Sequence, residues 1–260
     1  MASQATLDPD QLSQGIAPFH VGAKVLVFDD TASTNDIAAE YSRNPDNHGL
    51  VVVAEHQQQG RGRSGNAWLA SRGQSLLCSV VLNDTALKAE RLSLVSAVAV
   101  AETIGPQARI KWPNDILIGG RKACGILLES KPWPSHTAFI LGIGINCHQQ
   151  DKDFPPALRS SATSLDMALK TRTDRIVLAR RLFAVLDQWL DIGRQDAKNV
   201  VDAWQRVSLL WGQRLTILYQ GRSFTGHCMG IDPEQGLVLK LDHGTVRMFD
   251  AAHSSIVNPV

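Results

Sequence analysis

The amino-acid sequence predicts an α+β fold, in which helices back a mixed β-sheet and a small β-rich unit follows at the C-terminus. Two observations predict it. Apolar runs of strand length alternate with helix-period segments along most of the chain, and after Gly212 the apolar residues change to a period of two. At 260 residues the chain can hold one large domain with a small appendage.

The first half of the chain supplies the strands of the predicted mixed sheet. Residues 1–20 are polar, and we expect them to form a loosely ordered arm. Helices are predicted from the hydroxyl acceptors at 33–36 and from the helical apolar spacing of 89–104. A hairpin turn is expected at Gly119 and Gly120. The strand-like apolar runs are 24–28, 50–54, 75–82, 116–118, 125–129 and 137–145.

The second half begins with a helical rhythm over 176–211, with a predicted break near Gly193. Alternating segments at 215–219 and 237–241 then indicate strands, with turn signals at 220–221, 232–233 and 243–244. A unit of about 50 residues is too small to be comfortably stable alone, so we expect it to pack on the larger domain. The predicted divisions are an arm (1–20), a main domain (21–207) and a C-terminal β domain (208–260).

Composition excludes several classes of protein. Lys and Arg total 26 against 25 for Asp and Glu, which argues against broad non-specific binding of nucleic acid. Cys78, Cys124 and Cys147 lie in apolar runs, and with Cys228 they form no C-x-x-C pair, so neither a disulfide framework nor a zinc site is predicted. The run 92–104 is too short to span a membrane, and the N-terminus has no signal-peptide pattern. We therefore expect a cytoplasmic protein.

A glycine- and arginine-rich loop directly follows the second predicted strand. It contains Gly60, Arg61, Gly62, Arg63 and Gly65. Backbone N–H groups and guanidinium groups brought together in this way suit an anionic, phosphate-bearing ligand. We expect the two arginines to gain their partners when that ligand binds. A flexible basic surface turn is the alternative, because glycine-rich matches are weak without structural context.

Four more segments supply that context. Ser33-Thr34-Asn35 precedes the loop, and KWPND (111–115), GILLE (125–129) and GIGIN (142–146) follow it. In this order the five segments closely resemble the catalytic domain of biotin protein ligases, over about residues 25–165. The resemblance is to the short form, without an N-terminal DNA-binding domain. It implies a class II synthetase-like biotin/lipoate ligase domain with a small C-terminal SH3-like β-barrel.

The resemblance implies that ATP activates biotin to biotinyl-5′-adenylate, and that biotin then passes to a lysine of a biotin carboxyl carrier protein. Mg²⁺ is expected with ATP, with no permanently bound cofactor and no metal site of the protein's own. One alternative is a lipoate or octanoate ligase or transferase. Another is a biotin-responsive repressor, disfavoured because about twenty polar residues precede the first strand, too few for a helix-turn-helix. Neither DNA nor a membrane is an expected partner, and the oligomeric state is open, a homodimer being one option.

The resemblance also assigns catalytic residues. Lys122 matches the lysine that stabilises the forming acyl-phosphate, although it could instead be a solvated turn residue. Asp115 is a candidate for accepting the proton of the acceptor amine, or simply a turn residue. Arg61 and Arg63 are predicted donors to phosphate oxygens. Ser64 stands where some relatives have another arginine, which makes adenylate retention uncertain, as does Gln59 in place of a smaller residue.

The predicted ligand-binding residues form two overlapping sets. Neutral hydroxyls and amides suit the ureido ring of biotin, while Ser33 or Thr34 could also cap the first helix. Lys111 could instead be a surface charge, and Trp112 a core residue. Residues 163–165 also match a segment of the family, but the match is too short to assign them a role. The predicted biotin set is Ser33, Thr34, Asn35, Gln57, Gly60, Arg61, Gly62, Arg63, Lys122 and Gly125. The predicted nucleotide set is Arg61, Arg63, Trp68, Lys111, Asn114, Lys122 and Asn146. Gly142 and Gly144 are expected to allow close approach of the backbone.

Overall fold

Two β-sheets and six α-helices form the protein, which a computed structural model describes over residues 6–18, 20–83 and 86–257. The larger sheet has seven strands in the order β1-β2-β3-β7-β6-β5-β4, and only β1 and β2 are parallel. Its strands are β1 (Val25–Phe28), β2 (Val51–Ala54), β3 (Ser75–Leu82), β4 (Ala108–Lys111), β5 (Asp115–Ile118), β6 (Arg121–Pro132) and β7 (Thr137–Asn146). The predicted mixed sheet and α+β class are confirmed.

The second sheet is antiparallel, with strand order β11-β10-β9-β8-β12. Its strands are β8 (Arg214–Tyr219), β9 (Arg222–Asp232), β10 (Gly236–Leu241), β11 (Val246–Phe249) and β12 (Ser254–Ile256). The helices are α1 (Pro9–Ser13), α2 (Thr34–Tyr41), α3 (Ala89–Ile104), α4 (Leu165–Leu169), α5 (Arg175–Gln195) and α6 (Ala197–Val207). No helix of the described ranges is both long and apolar enough to cross a membrane.

Helices cover both faces of the large sheet because successive residues of a strand point to opposite sides. On β2, Val51 and Val53 join the main core, which α3 and α5 also line, whereas Leu50 and Val52 pack in a second cluster with α2. The N-terminus of α2 thereby lies over the centre of the sheet, and this placement positions the site described below.

The small C-terminal sheet packs on the main domain, as predicted. The indole N–H of Trp112 donates to Ser254 Oγ at 2.9 Å, and the backbone N–H of Ala251 donates to the carboxylate of Glu90 at 3.0 and 3.2 Å. Apolar residues of both units belong to one continuous core. The small unit therefore shares the core of its neighbour, as its size requires.

The predicted helix break near Gly193 is confirmed, although the glycine itself lies inside α5. Helix α5 continues to Gln195, and a Cβ at Gly193 would lie 2.7 Å from Val95 Cγ2, so this glycine lets α5 approach α3 closely. The break falls at Asp196, whose carboxylate accepts from the N–H of Asn199 at 3.0 Å and caps α6. The helical spacing was predicted to extend to residue 211, but α6 ends at Val207.

Part of the N-terminal arm is ordered, contrary to expectation. Asp8 caps α1 by accepting from two backbone N–H groups, and Leu12 on this short helix is fully buried. Strands β4, β9, β11 and β12 and helix α4 were missed, because polar residues interrupt or outnumber the apolar ones in each of them.

A buried ion pair ties the arm to the core. Arg175 Nη1 lies 2.7 Å from Glu55 Oε2, and the two side chains are 4% and 5% exposed. Glu55 also accepts from the backbone N–H of Leu7 at 2.7 Å, and Arg175 donates to the carbonyl of Ser75 at 3.3 Å. These contacts connect the arm, β2, β3 and α5 through one pair of charges.

Replacing Arg175 with alanine should destabilise the protein strongly, because Glu55 would keep a buried charge without its partner. The expected loss of unfolding free energy is about 3–5 kcal/mol, measured by urea unfolding. Lys198→Ala, which breaks the exposed pair with Asp202, is the control and should leave the unfolding free energy nearly unchanged. Equal small losses for the two variants would contradict the structural role of the buried pair.

Candidate functional site

A cavity of about 260 Å³ lies between the N-terminus of α2, the glycine-arginine loop and the floor formed by β6 and β7. Gly60 and Asn146, both predicted ligand contacts, lie outside the lining. The other predicted residues line it together: Ser33, Thr34, Asn35, Gln57, Arg61, Gly62, Arg63, Trp68, Lys111, Asn114, Asp115, Lys122 and Gly125. The sequence segments that are far apart in the chain thus meet in one cavity.

One end of the cavity is a neutral hydrogen-bonding cluster. Gln57 Oε1 accepts from the N–H of Thr34 at 2.7 Å and from its hydroxyl at 2.9 Å. Ser79 Oγ lies 2.7 Å from Thr34 Oγ1 and 2.5 Å from Asn35 Oδ1. Asn35 Nδ2 donates to Glu129 Oε2 at 2.6 Å. Sequence reasoning missed Ser79 and Glu129, although a polar residue within an apolar strand is the signal that could have indicated them.

Ser33 and Gly142 complete this cluster. Ser33 stands at the N-cap of α2 and is 3% exposed, yet its side chain makes no capping hydrogen bond to the described backbone. Its hydroxyl therefore remains available at the cavity wall. A Cβ at Gly142 would lie 2.3 Å from Asn35 Oδ1, so only glycine at this position of β7 leaves room for the asparagine amide.

Lys122 and Asp115 form an ion pair across the β5–β6 hairpin, with Nζ 2.6 Å from Oδ1. The glycine turn between the strands is as predicted, with positive φ at both Gly119 and Gly120. The register shifts beside Lys122, so that Ala123 is an extra residue in β6. Such a bulge re-aims neighbouring side chains. Lys122 consequently lines the cavity beside its carboxylate partner, and is not the solvated turn lysine of the alternative.

Trp68 covers a stretch of floor that has no side chains. A Cβ at Gly144 would lie 2.6 Å from its Cε2, and a Cβ at Gly125 would lie 2.9 Å from its Cζ3. Lys122 Nζ lies 5.7 Å from the centre of the ring. The buried indole N–H has no hydrogen-bond partner among the described atoms. Gly60 supports Trp68 from behind, since a Cβ there would lie 2.7 Å from the Trp68 carbonyl oxygen.

Both arginines of the loop have partners within the protein. Arg61 Nη2 lies 2.7 Å from Asp36 Oδ1 and 3.1 Å from Glu129 Oε2, and its hydrogen bond to Asp36 raises the pKa of Arg61. Arg63 donates to three carbonyls of the C-terminal unit, and burial lowers the pKa of its guanidinium. These three acceptors are Ala251, Ala252 at 3.0 Å and Ser254 at 3.2 Å.

The 111–115 segment divides its side chains between the core and the cavity. Trp112 is 2% exposed and meets Trp204 edge to face, with ring centres 6.4 Å apart, so core packing holds it. Asn114 Nδ2 donates to the carbonyl of Ile126 at 2.6 Å, which fixes the asparagine against β6. Lys111 is half-buried at the end of β4 and lines the cavity, so it is more than a surface charge.

Asn146 differs from the other predicted nucleotide contacts. It is buried, its Nδ2 donates to the carbonyl of Thr163 at 3.0 Å, and its Oδ1 accepts from Gln149 Nε2 at 3.2 Å. Both ends of the amide are therefore engaged within the protein.

Cys78 contributes to the cavity wall as a small apolar group. Burial raises the pKa of its thiol to about 12. The thiol therefore stays protonated at neutral pH, and since the thiolate is the reactive form it is not a nucleophile there. Cys147, behind the same floor, is likewise buried and its pKa is raised to about 12.

The cavity combines neutral polar groups with positive charge. Lys111, Lys122, Arg61 and Arg63 bring positive charge to its lining, and the cluster around Asn35 presents uncharged donors and acceptors. Glu129 links Arg61 to Asn35. Glycines keep the intervening floor open. This arrangement suits a molecule with a neutral hydrogen-bonding ring and a carboxylate, bound next to a phosphate-bearing group.

Comparison with known proteins agrees with this chemistry. The sequence model of the biotin/lipoate A/B protein ligase family matches residues 27–146. The bifunctional ligase/repressor BirA of Bacillus subtilis (strain 168) is 33% identical over 253 residues, covering 94% of this chain and 78% of that protein. The biotin–[acetyl-CoA-carboxylase] ligase of Mycobacterium tuberculosis is 32% identical over 233 residues, covering 83% of each.

The fold is also that of a solved ligase. The biotin protein ligase from Aquifex aeolicus, in complex with biotin and ATP, superimposes with a TM-score of 0.78 over 91% of this chain and 99% of its own. Sequence identity with it is 24%. The similarity extends over most of the chain, and it confirms the predicted fold family.

Proposed function

The chain belongs to the biotin/lipoate A/B protein ligase family, and from this premise we propose that it is a biotin protein ligase. In its first step, biotin and ATP form biotinyl-5′-adenylate and pyrophosphate. In its second, the biotinyl group passes to a lysine of a biotin carboxyl carrier protein. The observation that carries the proposal is the cavity itself, in which a neutral hydrogen-bonding cluster faces the Lys122–Asp115 pair.

The neutral cluster favours biotin over lipoate or octanoate. A ureido ring offers two N–H donors and a strong acceptor, which match Ser33, Thr34, Asn35 and Gln57. The dithiolane ring of lipoate and the alkyl chain of octanoate have no such groups. They could not exchange hydrogen bonds with this cluster, and a site built for hydrogen bonds strongly rejects a ligand that lacks them.

Lys122 is the residue best placed to assist the first step. The biotin carboxylate attacks the α-phosphorus of ATP, forming a C(O)O–P bond while the bond to the leaving pyrophosphate breaks. Negative charge builds on the phosphate oxygens as this happens. An ammonium already fixed by Asp115 stabilises that charge without reorganising. Arg61, Arg63 and Lys111 supply further positive charge, and Asn114 is proposed to contact the adenylate.

Asp115 is proposed to assist the second step. The acceptor amine attacks the biotinyl carbonyl, the amide bond forms, AMP leaves, and a proton is lost from the nitrogen. Asp115 Oδ1 lies 2.6 Å from Lys122 Nζ, and both residues line the cavity, so an amine that enters beside Lys122 can reach the carboxylate. A carboxylate on the cavity wall can therefore orient the incoming amine or accept its proton.

The magnesium ion expected with ATP fits this site as part of the nucleotide. Within the described residues, no group of three or more His, Cys, Asp or Glu side chains is arranged to hold a metal ion. Mg²⁺ usually binds through substrate phosphates with one or two carboxylates, and Asp115 is a cavity carboxylate that could supply one. The ion would mask triphosphate charge beyond what the cations of the cavity neutralise.

The decisive experiment is ATP–pyrophosphate exchange with purified protein. Biotin should support exchange in the presence of Mg²⁺, whereas lipoate and octanoate should support at least about 100-fold less, because they cannot form hydrogen bonds with the polar cluster. Exchange with lipoate but not with biotin would overturn the proposed substrate. Exchange with neither compound would overturn the proposed reaction.

Lys122→Ala should abolish most of the exchange while the protein stays folded. Loss of one preorganised donor typically costs about 2.7–4 kcal/mol of transition-state stabilisation, or about 100- to 1000-fold in rate. Circular dichroism and the melting temperature would verify the fold. Lys131→Ala, which removes a lysine farther along the same strand and outside the cavity lining, is the matched control and should retain its rate. Near-normal exchange in the Lys122 variant would exclude the catalytic role.

Arg63→Ala should accelerate loss of the bound adenylate. It removes a charged donor from the cavity and frees the loop from the carbonyls of the C-terminal unit. We expect dissociation of biotinyl-adenylate to rise about 10- to 100-fold, as befits a hydrogen bond to a charged group. Stopped-flow dissociation would measure it, beside the melting temperature. Arg43→Ala, at an exposed arginine, is the control, and a dissociation rate for Arg63→Ala that matches this control would argue against the role.

A further inference from the structure

One carboxylate fixes the orientation of a buried amide in the polar cluster. Glu129 Oε2 lies 3.1 Å from Arg61 Nη2, and in this ion pair Glu129 is a carboxylate, which only accepts hydrogen bonds. The end of the Asn35 amide that lies 2.6 Å from the same oxygen must therefore be its NH₂ group. The carbonyl oxygen of Asn35 consequently points the other way, towards Ser79.

The opposite end of the cluster is fixed by a backbone donor. The N–H of Thr34 can only donate, and it lies 2.7 Å from an atom of the Gln57 amide, so that atom must be Oε1. The same oxygen lies 2.9 Å from the hydroxyl of Thr34. Both amides of the cluster thus present an oxygen to a neighbouring hydroxyl group.

The two hydroxyl groups between these amides are one hydrogen short. Ser79 Oγ lies 2.5 Å from the Asn35 oxygen and 2.7 Å from Thr34 Oγ1. Together with the contact between Thr34 and Gln57, three oxygen–oxygen contacts each need a hydrogen, yet each hydroxyl supplies only one. Thr34 is 3% exposed and Ser79 is fully buried, so bulk water does not supply the third.

A ligand with an N–H group would supply the missing hydrogen. Asn35 and Gln57 line the cavity, so their side chains are within reach of a ligand. An N–H that donates to the Asn35 oxygen would release the hydrogen of Ser79 for the contact with Thr34. Every contact would then hold one hydrogen. Because an unmade buried hydrogen bond is costly, the cluster favours ligands that complete it in this way.

We infer that Glu129 is a positioning residue that determines ligand specificity: by accepting from Asn35 it leaves the cluster in need of an N–H donor. The inference rests on the proposed function only for the identity of the ligand, since the ureido ring of biotin carries two such donors. Glutamine in place of Glu129 would remove the need, because its NH₂ group can donate to Asn35. The Asn35 amide would then turn round and donate to Ser79, and all contacts would be made without a ligand.

Glu129→Gln tests this with little change of shape. Binding of biotin to the full chain, measured by calorimetry, should weaken about tenfold or more, because the cluster no longer gains a hydrogen from the ligand. The melting temperature without ligand should stay at or above the wild-type value, since the cluster is complete and Arg61 keeps Asp36 at 2.7 Å. Glu102→Gln is the matched control and should change neither quantity. Glu102 accepts from Trp189 at 2.9 Å and lies outside the cavity lining.

A second readout tests the demand for a donor directly. The probes are two carbamate analogues of biotin, in which one or the other ureido N–H is replaced with a ring oxygen. Wild-type protein should bind biotin about tenfold or more tightly than at least one of them, because that analogue lacks the hydrogen that the cluster needs. Glu129→Gln should reduce this preference at least about threefold, since its cluster needs no donor.

Three results would overturn the inference. The first is a biotin affinity of Glu129→Gln within about twofold of wild type. The second is a lower melting temperature of this variant, or its failure to fold, which would indicate a purely structural role. The third is an equal loss of affinity for biotin and for both carbamates.

Failure of the proposed function gives a different pattern. If biotin binds but supports no exchange, the proposed reaction fails while the specificity test stands. If wild-type protein does not bind biotin, the proposed substrate fails, and the melting temperature of Glu129→Gln then decides: a value below wild type overturns the inference, and a value at or above it supports a cluster that lacks a hydrogen.

Discussion

The site depends on the absence of side chains at the centre of the large sheet. Gly125 on β6 and Gly144 on β7 are neighbours in register, and Gly142 lies two residues before Gly144 on the same face. A Cβ at any of the three would collide with Trp68 or Asn35. Side chains at the centre of a sheet normally fill the layer above it. Here that layer instead contains the indole of Trp68, the polar cluster around Asn35 and the cavity.

The charges of the cavity are compensated within the protein. Lys122 is paired with Asp115, Arg61 with Asp36 and Glu129, and Arg63 with backbone carbonyls. Four cations converging on one small volume would repel one another without these acceptors. An anionic ligand group could displace one of these acceptors or share its cation. Each cation would then stay oriented before and after the ligand binds, so that less reorganisation of the charged side chains is needed at the reacting centre.

Sequence reasoning predicted helix α3, the central strands of the large sheet and most of the cavity, and physical causes explain what it missed. Helix α3 was found because sixteen residues establish a period, whereas polar residues interrupt the apolar ones in β4, β9 and α4. The close approach of Gly193 to Val95 was not predicted, since nothing in the sequence indicates that Val95 needs that space. The hydrogen-bond partners of Arg63 are carbonyls near the C-terminus, such as those of Ala252 and Ser254. No local sequence pattern could predict contacts over such a separation in the chain.

Those distant partners give the small C-terminal sheet a part in the site. Ser254 accepts from Trp112 through its hydroxyl and from Arg63 through its carbonyl, so a single residue of β12 contacts both the 111–115 segment and the glycine-arginine loop. The small sheet is too small to be stable by itself and relies on the shared core. A disturbance of that core interface therefore reaches the loop and Asn114 together. The two units therefore share both a core and the wall of the cavity, to which Ser255 and Ile256 contribute.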